Sequence, residues 1–103
     1  MKPKDIALLA GAALLLAPAA YANEALAQKA GCLACHSRDK KIVGPAYKDV
    51  AAKYKGQNVE AKLLAKVRTG GVGVWGPIPM PPNPVEKIND ADLKKVVEWV
   101  LKG

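Results

Sequence analysis

Cys32-Leu33-Ala34-Cys35-His36 is the stretch on which the rest of the chain turns. Two thiols three positions apart can each add across a vinyl group of one haem, and the adjoining imidazole is then delivered to the iron from the same side. A C-x-x-C-H run reads as c-type haem attachment. Three other readings of the same residues are weaker. A thioredoxin-like dithiol belongs beside a βαβ pattern, and no strand pattern is present. Structural zinc takes four ligands, whereas the chain offers two Cys and one His in all. A disulfide across so short a loop would tie no distant segments together.

Upstream of the motif, Lys2 and Lys4 precede an apolar run from Ile6 to Leu16, broken by Pro18 and followed by Ala20-Tyr21-Ala22. This is the order of a secretory signal, with cleavage after the small-x-small triplet at Ala22. The apolar run falls short of the roughly 20 residues that span a bilayer. No cysteine stands at the cleavage point to carry a lipid. We therefore expect residues 1–22 to be removed on export to the periplasm, leaving one domain at 23–103 with no stable membrane insertion. Export suits the motif, because c-type haem is attached outside the bacterial cytoplasm.

A domain this small buries a modest share of its surface and often needs a cofactor to complete its core. The chain has no Phe at all. Its net charge of +7 falls by one when Lys2, Lys4 and Asp5 leave together. The lysines are scattered, with no Arg-rich tract, so nucleic acid is a poor partner. A basic surface of this kind steers toward acidic patches on proteins.

The periodicity is helical. Asn23 is placed to cap a short first helix that carries Lys29 in its last turn and ends at Gly31. A second helix is expected to open at Gly44-Pro45, with Tyr47, Val50, Ala51 and Tyr54 on one face and Gly56 at its close. Asn58 would cap a third, in which Val59, Leu63, Leu64 and Val67 share a face before Gly70. The fourth has Asn89 as cap, Asp90 and Asp92 in the first turn, and Leu93, Val96, Val97, Val100 and Leu101 as its apolar stripe. Trp99 is expected to pack against the first helix near Ala27 and Gly31. The domain is thus all-α, four short helices with one long Gly/Pro-rich segment from Gly70 to Ile88. A loop of that length in a compact domain is normally functional, and this one reads as wrapped around a ligand.

His36 is the single histidine, so two-histidine ligation within one chain is excluded. After removal of residues 1–22 the single methionine is Met80, in Pro79-Met80-Pro81-Pro82. A lone methionine is usually core filler, but prolines on both sides keep this one out of a helix interior and stiffen its loop. A thioether there is suited to be the second axial ligand, and a soft sulfur opposite imidazole raises the reduction potential. With both axial positions filled, one-electron outer-sphere transfer is the chemistry that remains. No second His, paired carboxylates, phosphate-binding loop or nucleophile elbow points to an enzyme, and a sensor or peroxidase-like catalyst would lack its distal acid–base group.

Three stretches carry a resemblance that covers essentially all of residues 23–103. They are Gly31 to His36, Val43-Gly44-Pro45-Ala46-Tyr47, and Gly73-Val74-Trp75-Gly76-Pro77-Ile78-Pro79-Met80-Pro81-Pro82-Asn83. In these the chain resembles the small bacterial class I cytochromes c, monohaem carriers with His/Met ligation that serve nitrite reductase and terminal oxidases. The resemblance implies that the Pro45 carbonyl accepts a hydrogen bond from His36. It further implies that the Trp75 indole reaches a haem propionate, that Asn83 lies near the ligand sulfur and adjusts the potential, and that Lys66 lies near a propionate. It implies a monomer that takes electrons from a membrane cytochrome complex and passes them to a reductase or oxidase. In one respect the chain departs from the family: the stretch Asn83 to Asn89 is a little longer than the usual link into the last helix.

Overall fold

A computed structural model describes residues 19–103; most of the expected signal segment, residues 1–18, lies outside the described residues. Among the described residues there are four α-helices: α1 (Ala19–Lys29), α2 (Tyr47–Lys53), α3 (Glu60–Thr69) and α4 (Asp90–Lys102). A 3₁₀ turn, Cys32–Ala34, follows α1. Among the described residues there is no strand; an isolated antiparallel bridge pairs Gly71 with Met80. The all-α expectation holds.

α4 is the best specified element. The Asn89 side chain accepts a hydrogen bond from the Asp92 N–H at 2.8 Å, and Asp90 and Asp92 complement the positive end of the helix. Its stripe is buried as the spacing predicts: Leu93, Val96, Val97 and Val100, with Trp99 added. Leu101 is only half-buried. Among the described residues the other three α-helices each pack against α4, and not against one another. The core is therefore a layer along α4 holding Ala27 and Ala30 of the first segment and Tyr47 and Val50 of α2.

The other helix starts differ from the sequence expectation, each for a local reason. Asn23 lies inside α1, because the alanine-rich residues before it continue the helical backbone and leave it no end to cap. α2 begins at Tyr47, not at Gly44-Pro45. Ala46 is its cap, in extended conformation (φ −62°, ψ 142°). The Tyr47 and Lys48 amides donate to the Ser37 and Arg38 carbonyls at 2.8 and 3.0 Å, so the segment after His36 supplies the acceptors that a capping side chain would otherwise provide. α3 is capped by Val59 rather than Asn58, since the Val59 carbonyl takes the first helical bond, from Leu63 at 2.9 Å.

Trp99 belongs to the same buried cluster as Ala27. Its ring also meets the edge of Tyr47 at 5.5 Å between centroids, and the Arg38 guanidinium lies 5.8 Å from its centre. An edge-to-face pair of this kind adds about 0.5–1.5 kcal/mol beyond area burial.

α3 is the exception that positions the site. None of its residues is buried, although Leu63, Leu64 and Val67 form the apolar face its sequence predicts. Leu63 and Val67 pack against the core cluster and also line a cavity.

Candidate haem site

Gly31 directs the chain out of α1. Its left-handed backbone (φ 84°) is open to glycine at no steric cost, and it turns the chain into the cysteine motif. There the Cys32 carbonyl accepts from both Cys35 and His36 amides, at 3.2 and 3.0 Å. The motif is thus curled so that Cys32, Cys35 and His36 all line one wall of the cavity. Burial pushes the Cys32 thiol above its ordinary value, and the Lys87 ammonium acts in the opposite direction.

His36 is fixed on three sides. Its Nδ1 lies 2.8 Å from the Pro45 carbonyl; a carbonyl can only accept, so Nδ1 carries the proton and Nε2 keeps its lone pair. Its ring stacks on Tyr47, with centroids 5.0 Å apart and planes 20° from parallel. Gly44 closes the third side: a β-carbon there would stand 2.8 Å from Nδ1. Burial, then the adjacent Cys32, pushes the Tyr47 phenol up, so that ring remains neutral.

The Gly/Pro-rich segment also lines the cavity. Met80 donates its amide to the Gly71 carbonyl at 2.8 Å and accepts from the Gly71 amide at 3.1 Å. Gly70 has φ 73° and lies so close to the Met80 carbonyl that no side chain fits between them. Asn83 is buried, with 6 % of its surface exposed. Its Nδ2 donates to the carbonyls of Val67 and Pro81, at 3.2 and 3.1 Å. The Trp75 ring is 38 % exposed and lies 5.4 Å from the Lys53 ammonium. The Lys66 side chain lies across Gly71, with Nζ 2.9 Å from where a β-carbon would be.

Between these walls is a cavity of about 510 Å³, within the usual range of roughly 300–1,000 Å³ for cofactor sites. Leu93, Val96, Val97 and Val100 of α4 line its apolar side, and Lys53, Lys62, Lys66 and Lys87 also border it. All eight residues singled out from the sequence line this one cavity: Cys32, Cys35, His36, Pro45, Lys66, Trp75, Met80 and Asn83. A flat apolar macrocycle with two anionic arms fits such a surface. Two thiols, a free imidazole lone pair and a thioether are also the donor set that haem iron and its vinyl groups take.

Three participants were not anticipated. Tyr47 is a core residue that also supports His36. Lys87 reaches back toward Gly31, its Cε 3.5 Å from where a β-carbon would stand. Arg68 donates to the Asn83 and Ile88 carbonyls and to Asp90. A basic residue in the last turn of a helix reads simply as a partner for the helix dipole, so the sequence held no separate signal for Arg68.

An all-α domain that encloses a covalent-haem motif in an apolar cavity with a lysine border defines a class, the small haem electron carriers. Known proteins place the chain within it. A family model for cytochrome c matches residues 22–103. Cytochrome c-551 of Allochromatium vinosum is 53% identical over 94 residues, 90% of this chain and 98% of the relative. Cytochrome c-551 of Pseudomonas aeruginosa is 49% identical over 98% of this chain and 97% of its own. The crystal structure of wild-type Nitrosomonas europaea cytochrome c552 superposes with a TM-score of 0.70 at 46% identity, covering 77% of this chain and 96% of that one. The chain belongs to the cytochrome c family, with the class I fold. It is accordingly a small electron carrier rather than an enzyme, with one covalently attached haem c and its iron.

Proposed function

We propose that the chain is a periplasmic single-electron shuttle in which Cys32 and Cys35 would hold the haem as thioethers and His36 and Met80 would ligate its iron. The observation that carries this is the placement of both cysteines, the sole histidine and Met80 around one cavity. When bound, the haem supplies a one-electron couple at its iron.

The chain's own residues prepare that couple. The Pro45 carbonyl holds the His36 ring and its tautomer, leaving Nε2 as the ligand atom. The Gly71 bridge holds Met80 by its own backbone. Asn83, buried behind the loop, acts on the potential by fixing where the sulfur stands. Trp75 and Lys66 would receive the propionates, one as an indole donor and the other as a cation. The apolar side from α4 excludes water, which favours the less charged reduced state.

Residues 1–22 serve as the export signal, and the 23–103 domain works as a soluble monomer. Among the described residues no helix is long and apolar enough to cross a membrane. Lysines at the cavity border favour acidic patches on the partners, a membrane cytochrome complex as donor and a reductase or oxidase as acceptor. The longer Asn83–Asn89 stretch adjoins this border through Lys87.

Stopped-flow reduction by an acidic redox partner at rising ionic strength tests the reading. The second-order rate should fall steeply with salt, and the ferrous protein should not bind carbon monoxide readily. Rates indifferent to salt, or rapid binding of carbon monoxide, contradict it. N-terminal sequencing of the exported protein should begin at Asn23.

A further inference from the structure

We propose that Arg68 is a positioning residue for Met80: it fastens both ends of the 83–88 segment to α3 and so keeps the ligand loop closed over the cavity. The inference rests on the reading of Met80 as an iron ligand.

Arg68 stands in the last turn of α3, with its side chain 20 % exposed. Nη1 donates to the Asn83 carbonyl at 3.2 Å and to the Ile88 carbonyl at 2.7 Å. Nη2 donates to Asp90 Oδ1 at 2.6 Å. One planar guanidinium thus bridges the start of the segment, its end and the first turn of α4, a geometry that the single point charge of lysine cannot reproduce.

Asn83 is the joint through which this reaches Met80. Its amide donates to the Val67 carbonyl at 3.0 Å, and its Nδ2 donates to Val67 and to the Pro81 carbonyl beside Met80. Consecutive residues of α3, Val67 and Arg68, therefore hold the two sides of Asn83. Val67 supplies a carbonyl left over at the helix end, and Arg68 supplies the donor. On the other side of Met80 the loop is pinned at Gly71. Without the guanidinium, the Asn83 and Ile88 carbonyls lose their charged donor, the far end of the segment at Ile88 is released, and Asn83 is left with its bonds to Val67 and Pro81 alone.

The three contacts differ in weight. Asp90 is 88 % exposed, so the ion pair with it is screened and contributes little. The bonds to the two carbonyls are shielded and charge-assisted, and they carry the role.

The experiment uses the haem-loaded protein and its R68M, R68K and D90N variants. Two readouts apply: the rate of carbon monoxide binding to ferrous protein, and loss of the far-red sulfur-to-iron band in denaturant compared with loss of helix by circular dichroism. Binding of carbon monoxide requires the loop to open, so its rate follows the open population. R68M should bind at least about tenfold faster than wild type, as expected when a charged donor to two shielded carbonyls is removed. Its far-red band should disappear before its helices do. D90N should stay within about twofold of wild type, since its ion pair is exposed. Should R68M not fold, R68K must still bind faster than D90N. The inference is overturned if R68M, or R68K in its place, binds at the wild-type rate and loses band and helices together, whatever its overall stability. A wild-type ferric protein without the far-red band overturns the Met80 reading itself, and this inference with it.

Discussion

At the scale of single residues, the site is made mostly by groups whose chemistry is rare in the chain. One histidine and one methionine beyond Met1 left little choice for the iron, and the motif spacing assigned the thiols. All of these line the cavity. What the sequence could not convey is how tightly the ring and the loop are seated. By sequence, Gly44 and Gly70 mark a helix start and a helix end. Each proves to be a place where a side chain would collide, Gly44 with the His36 ring and Gly70 with the Met80 carbonyl. Gly44→Ala is expected to destabilise the loaded protein by about 1–3 kcal/mol through overpacking, as measured by urea unfolding. Gly70→Ala adds backbone strain at φ 73° and should in addition weaken the far-red band. Arg68 and Tyr47 were illegible for another reason. Their roles depend on contacts across 15 or more positions (Arg68) or on ring stacking (Tyr47), which no local pattern encodes.

At the scale of elements, existence was easier to read than ends. The start of α4 and most of its stripe follow the sequence because its cap is a side chain, Asn89, followed by two acids. Asn89→Ala should cost about 1 kcal/mol, read from the shift in the denaturation midpoint. The starts of α2 and α3 were misplaced because their first amides and carbonyls are satisfied by backbone partners, which leave no mark in residue type. α3 carries a second testable feature where it meets α4. Glu60 lies beside Glu98, and its Oε1 is shielded from water without a hydrogen-bond partner. The hydrogen bond to Glu98 that protonation would supply, then desolvation, then the Glu98 charge push the Glu60 carboxyl up, while Lys94 opposes them. A carboxyl raised in the folded state binds its proton more tightly there than in the unfolded chain. Its contribution to stability is therefore fully present below the ordinary glutamate value of about 4.3 and is lost as pH rises through the folded value. Glu60→Gln should flatten that decline, seen by comparing unfolding free energies at about pH 4 and about pH 7. An unchanged pH slope would show that the pair is already relieved by solvent.

At the scale of the whole molecule, among the described residues the α-helices meet one another only through α4, and α3 buries none of its residues. The apolar faces of α2 and α3 thus turn toward the cavity, and the haem completes the core. The absence of Phe and the long Gly/Pro-rich segment already implied this in the sequence. A variant with Cys32 and Cys35 both replaced by Ala should lack covalent haem and unfold with little cooperativity, with α3 the first helix lost in hydrogen exchange. Retention of a sharp thermal transition in that variant would mean that the protein core suffices alone.

The ferric absorption spectrum, compared between wild type and Met80→Ala, tests most directly that His36 and Met80 together make an electron carrier. Expected is a low-spin wild type with the weak far-red sulfur band, and a variant that loses the band, turns high-spin and binds carbon monoxide rapidly once reduced. A Met80→Ala spectrum indistinguishable from wild type would contradict the ligation on which the proposed function stands.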